Sequence, residues 1–275
     1  MTPEAAEAVL RAAGAADDAA IDVAATALAF AVRRRSEAGD PRYPEHLAEL
    51  AQGVAKAAPR EGTPAAQLAA LRRVLVDAHG YRGDRDTYDD LRNADLAAVI
   101  DRRCGLPVAL AILWLHAGRA QGWRLYGLNF PGHFLLQIET AGERLVFDPF
   151  NDGRTLGTAE LRDLIKSIGG PDARLEPDHA APLSNRGTLL RLQNNIKARL
   201  LKQSDISGAV FVLDGMLMVA PGAAALWREA GLLQVQQENL GAARRYLERA
   251  VKLAESASAR QRIAAELAAV RGRLN

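Results

Sequence analysis

Hydrophobic positions recur at helical intervals through the first hundred residues. In AAIDVAATALAFAVRRR, Ile21, Leu28 and Val32 fall at helical steps, with alanines between them that allow close packing. Asp40-Pro41 and Pro44 break this pattern. PEHLAELAQGVAKAA and TPAAQLAALRRVLVDAHG resume it as two further helices. In the second of these Thr63 reads as the N-cap, Pro64 as the first helical residue and Gly80 as the stop. YRGDRDTYDDLRNA predicts a loop, followed by a helix from about Asp95 to Arg103. Gly105 then reads as a left-handed helix end, and Pro107 as the first residue of PVALAILWLHAGRAQ, which Gly122 terminates. That segment is apolar almost all round and is expected to be buried centrally.

The period then shortens from helical to alternating. WRLYGLNF, HFLLQIE and RLVFDPF read as three strands, with Pro131-Gly132 and Ala141-Gly142 at the turns. A hairpin centred on Ala141-Gly142 sets Leu135 opposite Asp148 and His133 opposite Phe150. Opposed residues share a face, so His133 and Asp148 fall diagonally within reach on a polar side. Phe134, Leu136, Ile138, Leu145 and Phe147 form the apolar side, and a slip of one residue would bury the wrong face.

From about Gly187 the helical period returns and carries a repeat. Trp227, Gly231, Ala243, Leu247 and Ala250 match the spacing of the 34-residue tetratricopeptide unit, in which small residues let two helices cross closely. Ala209 and Leu213 stand 34 residues upstream of Ala243 and Leu247, and Pro221 ends that earlier unit. The expected division is a helical region over 1–64, a core over 65–180 and a repeat tail over 187–275. The fold class is α+β, mostly helical, with a small antiparallel sheet.

Composition narrows the functions. The 275 residues are 49% hydrophobic and 25% charged, a globular balance, and a net charge of +2 gives no reason to expect nucleic acid as a partner. The single cysteine excludes an internal disulfide framework and a cysteine-rich zinc site. The acidic N-terminus lacks the pattern of a signal peptide and no long uncharged apolar run occurs, so a cytoplasmic protein without membrane contact is expected. That cysteine, Cys104, precedes His133 and Asp148 in the order of a thiol-nucleophile site. His46, His79, His116 and His179 lack such a context and read as structural or exposed. No His-x-x-x-His or similar spacing marks a metal site, and no cofactor is expected.

The middle of the chain resembles the SirB-type transglutaminase-like proteins of bacteria, which join a transglutaminase-like, papain-type core to tetratricopeptide helices. Five blocks carry the resemblance: GYRGD from Gly80, YDDLRN from Tyr88, RCGLPVAL from Arg103, PGHFLL from Pro131 and FDPF from Phe147. In active relatives the cysteine starts the central helix in a Gly-x-Cys pattern, and His and Asp follow on neighbouring strands. Laid on this sequence, that glycine is Gly105, the cysteine slot is Pro107, and His133 and Asp148 match their positions. Cys104 falls three residues early. A helix N-terminus favours a thiolate only within about a turn, and proline offers neither a thiol nor an N–H to an oxyanion. The resemblance thus implies a cleft around Gly105, Pro107, Gly132 and Asp152 in which catalysis is disfavoured.

Three functions from different classes fit these residues. One is a non-catalytic protein that binds a protein or peptide partner through the cleft and the repeats. Another is a cysteine hydrolase or acyl transferase using Cys104, His133 and Asp148. The third is a scaffold with a vestigial cleft. The first is preferred, because a decayed cleft need not keep His133 and Asp148 on one face.

Overall fold

The computed structural model describes residues 1–35, 39–58, 62–140 and 142–274. They form two compact units, one of residues 1–3 with 18–192 and one of residues 4–17 with Gln193 onward. Among the described residues no helix is long and apolar enough to cross a membrane.

The first unit is built around α6 (Pro107–Arg119). Its face-independent apolarity is explained by its surroundings: Ala109, Leu110, Ala111, Ile112 and Leu113 are all fully buried. The helices α2 (Val23–Arg35), α3 (Arg42–Ala57), α4 (Pro64–Arg72) and α5 (Leu96–Arg102) pack around it. Thr63 caps α4 by accepting the Ala66 N–H, and Pro64 follows it as expected. Arg73–Ala78 then continue the helix in π form up to His79, with Gly80 left-handed beyond it. Asp95 caps α5 through the Ala98 N–H.

Two elements depart from the sequence reading. The loop after Gly80 contains a strand, β1 (Arg82–Gly83), which pairs in parallel with β2 (Cys104–Gly105). The left-handed residue at the end of α5 is Arg103, not Gly105. Gly105 is glycine for a packing reason instead, since a Cβ there would stand 2.6 Å from Val99 and 3.1 Å from the Asn93 carbonyl oxygen.

The antiparallel sheet runs β3 (Arg124–Gly127), β4 (Leu136–Thr140), β5 (Glu143–Asp148) and β6 (Arg154–Thr155) in that order. Leu136 pairs with Phe147 and Thr140 with Glu143, the register expected from the two-residue turn; Ala141 in that turn lies outside the described residues. Phe134, Leu136, Ile138 and Phe147 are buried on one face, with the Phe147 ring 5.2 Å from that of Trp114 on α6. The opposite face is not the polar surface expected. Leu135 and Val146 lie on it, and α7 (Thr158–Gly169) covers it with Leu161, Leu164 and the buried Ile165. Both faces of the hairpin are therefore shielded from water near Asp148.

The second unit contains α9 (Ile206–Val219), α10 (Ala224–Gln236), α11 (Leu240–Leu253) and α12 (Ala257–Leu274). Helix α8 (Asn185–Lys202) precedes them in the chain. The repeat residues stand at helix crossings: Ala243, Leu247 and Ala250 are fully buried, and a Cβ on Gly231 would meet Leu247 at 2.8 Å. The Trp227 indole donates to the Pro221 carbonyl at 2.9 Å, tying the start of α10 to the turn before it. The N-terminal helix α1 (Pro3–Ala15) joins this unit; Gly14 lets it touch α9, because a Cβ there would overlap the Met218 carbonyl oxygen.

Candidate functional site

His133 and Asp148 form a direct pair, with His133 Nε2 2.8 Å from Asp148 Oδ2. The hairpin register brings them together, and the side chains are 16% and 5% exposed. Asp148 also accepts the Phe150 N–H at 2.9 Å and the Asn151 amide at 2.6 Å, so FDPF closes on its own aspartate as a turn. Burial pushes the Asp148 carboxyl up, but the bonds from His133, Asn151 and the Phe150 N–H outweigh it and hold the group below 3.8, its ordinary value. An ionised Asp148 can only accept, so the hydrogen bond fixes a proton on His133 Nε2 and orients the ring.

Cys104 sits in a different set of contacts. Its Sγ lies 3.9 Å from Asp84 Oδ2, and no hydrogen bond joins it to His133 among the described residues. Asp84 is itself saturated: it accepts from the Thr87 N–H at 2.8 Å, the Thr87 hydroxyl at 2.6 Å and Arg102 at 2.8 Å. These donors outweigh burial and keep Asp84 ionised, well below the usual carboxylate range. The consequence falls on the neighbouring thiol. Burial raises the Cys104 pKa, Arg102 pulls it down, and Asp84 raises it again; the outcome is a value above the ordinary thiol.

Pro107 occupies the first turn of α6, behind Leu106, whose N–H donates to the Asn93 carbonyl at 2.9 Å. Asn93 is buried and links the blocks, because its amide donates to Thr87 O at 2.6 Å and its Oδ1 accepts from Arg102 at 2.7 Å. GYRGD and YDDLRN thus build the scaffold of the Cys104 strand. Gly83 in the first block admits Phe150, since a Cβ there would stand 2.6 Å from both its ring and its carbonyl oxygen.

A cavity of about 470 Å³ opens beside Cys104, lined also by Arg82, Arg85, Arg102, Phe150 and the left-handed Asp152. The Phe150 ring, which lines this cavity, stands 6.3 Å from the His133 ring and 6.0 Å from that of Tyr88, which is 43% exposed. Of the expected cleft residues, Asp152 shares this cavity with Cys104. Gly105 and Pro107 are buried and lie outside its lining, and Gly132 turns at φ 67° against Ile168 of α7. Sequence reasoning missed Asp84, Asn93 and Arg102 as a connected set. Asp84 was hidden among the other acids of DRDTYDD, and only the pairing of β1 with β2 reveals its neighbour.

The transglutaminase-like superfamily matches residues 41–194, and a tetratricopeptide repeat family matches residues 196–268. A UPF0162 protein of Xylella fastidiosa is 34% identical over 190 residues, which is 68% of each chain. A UPF0162 protein of Vibrio cholerae is 32% identical over 69% of this chain and 70% of its own. F-box only protein 21 of Mus musculus is 34% identical over 106 residues, 36% of this chain and 17% of its own. With the central helix, the hairpin and its His–Asp pair, and the crossed helices of the tail in place, this chain belongs to the transglutaminase-like superfamily, in its SirB-type branch with tetratricopeptide repeats.

Proposed function

We propose that this protein is a non-catalytic member of its superfamily that holds a protein or peptide segment in the cleft beside Phe150, with the repeats adding contact to the same partner. One observation carries the reading: the Cys104 thiol faces the ionised Asp84 carboxylate, not the His133 ring. A thiolate placed there would stand against a like charge, half-buried and without a base. Pro107 adds no N–H that an oxyanion would need at the start of α6. The cavity fits recognition instead. Phe150 and the exposed Tyr88 ring against it offer apolar edges, and Arg82 and Arg85 offer donors to peptide carbonyls or acidic side chains.

The alternative is a cysteine hydrolase or acyl transferase working through Cys104, His133 and Asp148. It is favoured by the intact His–Asp pair and by Arg102, which lowers the thiol pKa. Two assays on the full chain separate the readings. Incubation with acyl thioesters and glutamine-containing peptides should leave the intact mass unchanged, whereas an acyl adduct on Cys104 would establish the enzyme. Selection from a random peptide display library should enrich binders whose affinity falls at least tenfold in Phe150→Ala and is kept in Cys104→Ser. Failure to enrich any binder would contradict the recognition reading.

A further inference from the structure

His46, Glu49 and His79 converge outside the cleft, with one ligand atom from each within 4.8 Å of the others. We propose that they form a site for a first-row divalent cation of the zinc type. His46 and Glu49 lie one turn apart on α3, and His46 Nδ1 already stands 2.8 Å from Glu49 Oε2. His79 comes from the other side, its ring 5.2 Å from that of His46 and inclined at 70° to it.

Two features of the backbone put His79 there. The π segment Arg73–Ala78 ends immediately before it, and such segments re-aim the residues that follow them. Gly53 on α3 lets that segment approach closely, because a Cβ there would stand 3.0 Å from Val74 Cγ1. The regular helical period in the sequence conceals both effects, so neither histidine had a partner until the chain was folded.

The chemistry of the three groups suits the ion. Two imidazoles and a carboxylate are a zinc-type donor set that leaves a coordination position open, and Glu49 is solvent-exposed, giving the ion an entry path. Ligation through His46 Nδ1 places the ring proton on Nε2, where the Tyr81 hydroxyl at 2.9 Å accepts it, the usual outer partner of a metal-bound histidine. Three ligands around one zinc sit roughly 3.4 Å apart, so on binding His46 Nδ1 and Glu49 Oε2, now 2.8 Å apart, open by roughly half an ångström to admit the ion, and His79 completes the set. Arg103 donates to both His46 Nε2 and the Tyr81 hydroxyl; binding shifts it onto Tyr81 alone.

Zinc chloride titrated into the metal-free full chain by calorimetry tests this. One saturable site per chain is expected, with binding weakened at least tenfold in Glu49→Gln and in His79→Gln. Glu49 is exposed, so its variant folds regardless of the buried His46. Cys104→Ser and His179→Gln are expected to bind as the parent does. Cobalt bound at the same site should show ligand-field bands without thiolate charge transfer. Absence of a saturable site, or parent affinity in Glu49→Gln, would overturn the assignment.

Discussion

Asp84 and Asp148 are two buried acids that do opposite things to the groups beside them. Asp148 accepts a hydrogen bond from His133 and orients the ring, whereas Asp84 places its charge against a thiol and discourages ionisation. Asp148 is ionised at a lower pH in the fold than its ordinary 3.8. A depressed carboxylate pKa stabilises the fold fully above the unfolded value, and that contribution disappears as pH falls through the folded value. Asp148→Asn keeps the shape but loses the charge. It should cost about 1.5–3 kcal/mol in urea unfolding at pH 6, the worth of hydrogen bonds to a charged acceptor, and the difference should shrink towards zero below pH 3.8. A constant difference between pH 6 and pH 3 would refute a charged Asp148. At this scale the His–Asp pair was legible, because alternation and a two-residue turn fix which residues oppose one another. The charge on the thiol's neighbour was not, since it depends on a contact across twenty positions of sequence.

Elements with enough residues to show a period were legible as elements. The central helix, the hairpin register and the crossed repeat helices all follow from spacing, as Leu136 opposite Phe147 and the buried Ala243 illustrate. The short strands β1 and β2 have two residues each and therefore no period to read. The left turn after α5 fell on Arg103 because Gly105 was already committed to packing against Val99. The π segment before His79 left no mark in a sequence that continues the apolar spacing of α4. In the repeats, Ala243 is fully buried where two helices cross, so a larger side chain must displace its neighbours. Ala243→Leu should destabilise the chain by about 1–3 kcal/mol through overpacking. An unchanged denaturant midpoint would show that the crossing has room for the larger side chain and contradict the close packing at Ala243.

For the whole molecule, the superfamily's framework is present, and we propose that its chemistry is rearranged. The hairpin still presents a histidine and an aspartate, and the central helix still begins beside the cleft. The helix begins with proline, however, and the cysteine belongs to a strand secured by Asp84, Thr87, Asn93 and Arg102. The family and its fold were readable from five blocks in order, because those blocks are the residues that hold the framework together. Whether a framework performs chemistry depends on one thiol and its ionisation. The rate of iodoacetamide labelling at Cys104 against pH, in the native chain and in urea, measures that ionisation directly. The native thiol should react more slowly than the unfolded one from pH 6 to 9, with its inflection displaced to higher pH, because burial and Asp84 oppose the thiolate. Faster labelling of the native chain at pH 6 would show an activated nucleophile and contradict a non-catalytic cleft.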